Sequence, residues 1–190
     1  MYVYPDLDLT DGFESMIAFA DSYLSATNLL VRHQRETNFL FTFAPLYQNA
    51  GHSCELLLKT LIYGYDENVN SIKDLSKFGH DLEALLDRCL KVRVPFFDIL
   101  EPVRKRHIQS EIPLGMSQED LGKPFVVNWL TNFDSQVMAL NENYTKFEDE
   151  KQREFRTRYP NSKRNFKPVN LCYLLPCLDK IRDHTHSLRN

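Results

Sequence analysis

Three residues near the end of the chain have side chains whose types and spacing could do chemistry together. Arg182, His184 and His186 lie in the segment IRDHTHSLRN. A histidine can donate or accept a proton near neutral pH, and an arginine can hold a phosphate through two parallel hydrogen bonds. The set is therefore a candidate catalytic group for metal-free cleavage of a phosphodiester. The competing interpretation, which we favour, is a solvated last turn whose positive charge suits a helix C-terminus.

The same histidines, together with Asp183, could instead bind a transition metal. Residues two apart on a helix point about 200° away from each other, so such a site would need an irregular backbone and further ligands. We expect no metal here. The six glycines are scattered and form no phosphate-cradling loop, so we expect no cofactor either.

A second group of polar residues lies in two segments in the middle of the chain. His52, Glu55 and Lys59 share one face of a predicted helix, and His80 follows Gly79 at the start of another. The functional interpretation is a polar binding notch inside a bundle, with His80 as a ligand or catalytic residue. We favour the structural one, in which Glu55 pairs with His52 and Lys59 along the helix and His80 caps or packs the helix entry.

Basic residues could form a surface for nucleic acid in two places. The run 104–107 contains Arg104, Arg106 and His107, and Arg158 lies within a second basic segment that also carries aromatic residues. Runs of charge are usually solvated faces, which is the interpretation we favour.

Composition limits the classes of protein that this chain can belong to. The 190 residues carry a net charge of −3, so no global positive field exists to attract RNA or DNA. We expect no membrane association, because no segment is long and apolar enough to span a bilayer and the first residues do not resemble a signal peptide. The four cysteines have apolar neighbours and form no C-x-x-C motif. These features predict a cytoplasmic protein with buried, reduced thiols.

The elements that must position these side chains are helices. Apolar residues recur every three or four positions in segments 11–37, 44–63, 80–92, 96–111, 125–157 and 170 to the end. A short helical turn is expected near residues 72–75. Pro102 is expected to interrupt or start its helix, and Pro176 to kink its helix or set its first turn. The sequence thus predicts an all-α antiparallel bundle forming one domain over residues 1–190. Irregular loops are expected near 65–79, 112–124 and 158–169.

The ordered motifs of this chain resemble those of the HEPN superfamily, helical proteins named for higher eukaryotes and prokaryotes nucleotide-binding. One helix carries the pattern H-x-x-E-x-x-L-K in His52, Glu55, Leu58 and Lys59, and a polar connection then leads to G-H-D-L at residues 79–82. The sequence R-Y-P at residues 158–160 resembles a turn that precedes the last helix in some members.

The resemblance implies a bundle of about five helices that forms a homodimer. Active members cleave RNA without a metal, using an arginine and a histidine near the final helices. Here three residues separate Arg182 from His186, fewer than in active members, so the spacing favours a non-catalytic module. We therefore expect a HEPN-like protein that binds RNA or a partner, such as a nucleotidyltransferase-like antitoxin, in a prokaryotic toxin–antitoxin or defence system. The alternatives are a ribonuclease using Arg182 with His184 or His186, and a helical bundle that binds a small ligand.

Overall fold

Helices provide all the regular structure in the part of the chain that the structure describes. The computed structural model describes residues 12–37, 43–110, 130–144 and 167–188, with the backbone alone for 43, 109 and 110. The helices, in chain order, are α1 (Gly12–Thr37), α2 (Phe43–Tyr65), α3 (Ile72–Leu75), α4 (Leu82–Lys91), α5 (Phe96–Ser110), α6 (Phe133–Tyr144) and α7 (Leu171–Ser187), with a 3₁₀ turn at Ser76–Phe78 after α3. The predicted all-α class is confirmed. The expected number of about five helices is not, since the described ranges already contain seven α-helices.

Helix α2 is the centre of the core. Its residues Leu57, Leu58, Leu61 and Ile62 are fully buried, and the helix packs against α1, α4, α6 and α7. A helix that is apolar on most of its circumference must be surrounded by other elements to remove that surface from water. The sequence interpretation of this segment as the central buried helix agrees with the packing.

Hydrogen bonds and backbone conformation define both ends of helix α4. The Asp81 carboxylate accepts hydrogen bonds from the backbone N–H groups of Glu83 (3.0 Å) and Ala84 (3.2 Å), which would otherwise have no partner in the first turn. At the other end Arg93 has a φ of 62°. The following residue, Val94, donates its N–H to the Cys89 carbonyl at 3.0 Å, so the chain turns sharply back into the core.

Two expectations about helix interruptions were wrong. Pro102 neither starts nor ends a helix, because α5 runs through it with the proline ring on the exposed face. The predicted helix over 125–157 is broken at residues 131–132. There the Asn132 side chain accepts a hydrogen bond from the backbone N–H of Ser135 at 2.8 Å. This bond caps the N-terminus of a new helix, α6. The remainder of that segment and the predicted loop at 112–124 lie outside the described residues, as does most of the loop at 158–169.

Helices α1 and α7 run antiparallel to each other. Near one end Arg182 contacts Asp21 at 3.0 Å, and near the other Arg35 contacts Cys172 at 2.9 Å. Helix α5 also packs on α7, where His107 approaches Asn170 at the start of that helix. The three helices together form the walls of a groove. In the part of the chain covered by the structure, no helix could cross a membrane.

Candidate functional site

A buried carboxylate, Glu55, is the centre of a polar cluster that the described helices bring together. Its side chain is 5% exposed and accepts hydrogen bonds from three directions. Lys59 donates to Oε1 at 2.6 Å from the next turn of α2, and the Tyr144 hydroxyl donates to Oε2 at 2.6 Å from α6. The His80 ring lies with Nδ1 2.9 Å from Oε2. One carboxylate thus joins α2, α6 and the chain entering α4.

The hydrogen bonds around Tyr144 fix the direction in which protons are donated. Because the hydroxyl gives its single proton to Glu55, its oxygen must accept from Nδ1 of His52, 2.6 Å away. The other ring nitrogen of His52 then accepts from the side-chain amide of Gln48 at 2.6 Å. The chain of donors therefore runs from Gln48 through His52 and Tyr144 to Glu55, and it assigns His52 as the neutral Nδ1–H tautomer.

Hydrogen bonding decides the charge state of Glu55. Burial alone would raise the pKa of this carboxyl, but the hydrogen bonds from Lys59 and Tyr144, with the Lys59 charge and the bond from His80, outweigh it. The pKa is therefore held below its usual value. Glu55 is an ionised, fully engaged acceptor, which suits a structural role better than that of a general acid.

Acid should weaken the fold through this cluster. Because the pKa of Glu55 is lower in the folded than in the unfolded chain, its contribution to stability is complete above the ordinary value of 4.5 and is lost as the pH falls through the folded value. We expect urea unfolding free energies to fall as the pH is lowered below about 4.5, with a shallower fall for Glu55→Gln. An equal fall in the wild type and this variant would contradict the assignment.

The structure contains the predicted contact between Glu55 and Lys59 but not the predicted helix cap at His80. The i,i+4 contact with Lys59 is present, and His52 lies 4.0 Å from the carboxylate, linked to it through Tyr144. His80 does not cap α4, because Asp81 takes that position. His80 instead reaches back to α2. Sequence analysis missed Tyr144 and Gln48 as members of the cluster.

The side chains of the three residues proposed for catalysis have different surroundings along α7. Arg182 contacts Asp21, Asp179 and Asp183, each at 3.0 Å. Burial alone would lower the pKa of Arg182, but these carboxylates outweigh it and raise the pKa above its usual value. No side-chain hydrogen bond among the described residues joins Arg182 to either histidine.

The histidines that follow Arg182 have separate surroundings. The Nε2 atom of His184 lies 2.7 Å from the Tyr65 hydroxyl of α2, and the two rings are stacked with their planes 22° apart. Partial burial lowers the pKa of His184, which favours the neutral ring. His186 is exposed to solvent.

The basic run at 104–107 is divided between two surroundings. Glu101 lies 3.7 Å from Arg104 and 3.6 Å from Lys105, which neutralises part of the run on one side of α5. Arg106 and His107 line the groove on the other. Arg158 lies outside the described residues. The run therefore lies partly beside Glu101 and partly along the groove.

The groove between α1, α5 and α7 has a volume of about 660 Å³, which is within the range of volumes typical of small-molecule sites. Its lining combines apolar side chains with charged ones from all three helices. Over the ranges that the structure covers, no group of three or more histidine, cysteine or acidic side chains is placed to hold a metal ion.

Comparisons with known proteins gave no match to a protein-family model, to a curated protein or to a solved structure.

Proposed function

We propose that this chain is a non-catalytic, HEPN-like helical module whose role is binding. The observation that supports this best is the state of Arg182. The phosphate-holding role requires a guanidinium free to make a two-pronged contact, and this guanidinium is already engaged by three carboxylates.

The electrostatics around Arg182 disfavour a phosphate as well. Three carboxylates, from Asp21, Asp179 and Asp183, face two cations, Arg182 and Lys180, the latter 3.5 Å from Asp183. An incoming phosphate would meet surplus negative charge and would have to displace ion pairs. With His184 engaged by Tyr65, His186 alone is left exposed for proton transfer, while the Arg182 guanidinium that would hold the phosphate is occupied by carboxylates.

The proposed partner is RNA or a second protein, with the module acting as a homodimer in a prokaryotic toxin–antitoxin or defence system. The support for this part is the resemblance of the segment from His52 to Leu82 to HEPN proteins. The Glu55–His80 contact joins the two segments that carry this resemblance.

We expect no cleavage of mixed structured and single-stranded RNA by the purified chain in the presence of EDTA. Arg182→Ala and His186→Ala should be indistinguishable from the wild type, because carboxylates already hold Arg182 and, among the described residues, His186 has no available arginine beside it to position a phosphodiester. Arg32→Ala is the matched control, since it removes an exposed arginine from α1. Products that appear with the wild type and Arg32→Ala, but vanish in both other variants with helicity intact, would establish the ribonuclease alternative.

Binding and assembly need their own measurements. Fluorescence anisotropy with labelled RNA tests nucleic-acid binding, and light scattering coupled to size exclusion gives the mass of the particle against 22.4 kDa for one chain. If the chain is a monomer and does not bind RNA, the remaining form of the proposal is a protein partner. That form is tested by co-expressing the chain with the product of a neighbouring gene and asking whether the two co-purify.

A further inference from the structure

The groove between α1, α5 and α7 has two electrically different ends. Arg35 and Arg106 lie with His107 toward the start of α7, as the contacts of Arg35 with Cys172 and of His107 with Asn170 show. Asp179 and Asp183 lie toward the other end of α7, where they pair with Arg182. The groove therefore carries cationic side chains at one end and carboxylates paired with Arg182 at the other.

Arg35 is the cation best suited to receive a ligand at the basic end. It is exposed, lines the cavity and makes no ion pair with any described carboxylate. Its Nη2 donates to the sulfur of Cys172 at 2.9 Å, and sulfur is a weak acceptor. A ligand carboxylate would be a stronger acceptor for the fork of guanidinium donors.

The middle of the groove is apolar. Val31 of α1, Val103 of α5 and Leu175 of α7 line it between the charged ends. These three side chains offer favourable burial to hydrocarbon and no hydrogen-bonding partners to a polar body, and the amide of Asn28, one turn before Val31 on α1, also lines the groove. The combination of one cationic end and an apolar wall is complementary to a molecule with a single anionic head on an apolar chain.

We infer that this groove binds a small amphipathic carboxylate, with the head at Arg35 and the hydrocarbon chain along Val31, Val103 and Leu175. This inference goes beyond the proposed partner-binding function and does not depend on it. The ligand is a small molecule because the cavity of about 660 Å³ is of a size to hold one, whereas the surplus negative charge at the acidic end would repel a continued chain of phosphates.

The test compares three probes on the full chain by calorimetric titration. Octanoate has both head and chain, octan-1-ol has the chain without charge, and acetate has the head without the chain. We expect saturable binding of one octanoate per chain, weaker binding of octan-1-ol and none of acetate. Arg35→Gln should weaken octanoate about tenfold and leave octan-1-ol unchanged. Lys105→Gln is the matched control, because it removes an exposed charge from α5 outside the groove.

The position of the hydrocarbon chain is tested separately with Val31→Trp. Val31 is only partly buried, so the larger ring can fill the groove without entering the core. We expect this variant to abolish binding of octanoate and octan-1-ol while circular dichroism shows retained helicity. Octanoate should also slow alkylation of Cys172 by iodoacetamide, since Cys172 lines the groove and is the exposed one of the four cysteines.

Four results would overturn the inference. They are no octanoate binding by the wild type, equal affinity for octanoate and octan-1-ol, an equal loss in Arg35→Gln and Lys105→Gln, and undiminished binding by a folded Val31→Trp. None of these bears on RNA or protein binding, which is measured independently.

Discussion

Replacing Glu55 with glutamine is expected to destabilise the fold by about 3–5 kcal/mol at neutral pH. The amide is almost the same size as the carboxyl, so the change leaves no cavity and removes mainly the negative charge. Lys59 is 13% exposed and would lose its ion-pair partner at 2.6 Å. Removing one partner of a buried pair leaves the other charge poorly solvated, which is the larger part of the expected loss.

The neutral side chain would also disturb the hydrogen bonds from α6 and His80. A glutamine offers one acceptor oxygen in place of two, whereas Lys59, Tyr144 and His80 all donate to this group. At least one donor must then face an N–H₂ group. Urea denaturation followed by circular dichroism measures the effect.

The matched control for Glu55→Gln is Asp87→Asn. It breaks an i,i+4 contact with Lys91 at 2.5 Å, but both side chains are more than half exposed. Such a pair contributes no more than about 0.5 kcal/mol. Similar losses for the two variants would show that the Glu55 cluster is not the stabilising feature described above.

The second large effect is expected from adding a single methyl group at Gly51. A Cβ atom placed on this buried glycine would lie 2.3–2.4 Å from two atoms of the Tyr144 ring. The ring is fully buried and held by Glu55 and His52, so it cannot move without losing those hydrogen bonds. We expect Gly51→Ala to cost about 3 kcal/mol, despite the better helix propensity of alanine.

Gly12→Ala is the control for this substitution. Its Cβ would meet the end of the Ile72 side chain, which is 38% exposed and can rotate toward solvent. The thermal midpoint should fall by several degrees for Gly51→Ala and scarcely change for Gly12→Ala. Equal midpoints for the two variants would mean that α2 and α6 are not in close contact at Gly51.

Local patterns in the sequence predicted the elements better than their assembly. The periodicity of α1, α2 and α4 and the Glu55–Lys59 spacing are local properties, and the structure contains all four. The sequence did not predict the helix break at Asn132. An asparagine within a segment of helical apolar periodicity can either cap a new helix or lie on the polar face of a continuous one, and the two cases have the same local sequence pattern.

The contacts that decide the site are long-range, and helical periodicity says nothing about which faces meet. Tyr144 is 89 residues from Glu55, and Asp21 is 161 residues from Arg182. Arg182 looked available in the sequence because the carboxylate that reaches it from α1 could not be placed. Tyr144 was read as one more apolar residue of its helix for the same reason.

The packing of α7 has a consequence for the newly made protein. Its residues Leu174, Cys177, Leu178 and Ile181 are fully buried in a core that α1 and α2 already line. During synthesis, the apolar sides of α1 and α2 therefore emerge long before the helix that covers them exists. Until α7 is made, the nascent chain exposes this apolar surface to solvent. Chaperone dependence, or aggregation on overexpression, would then result from the delay in covering it and not from low stability of the folded protein.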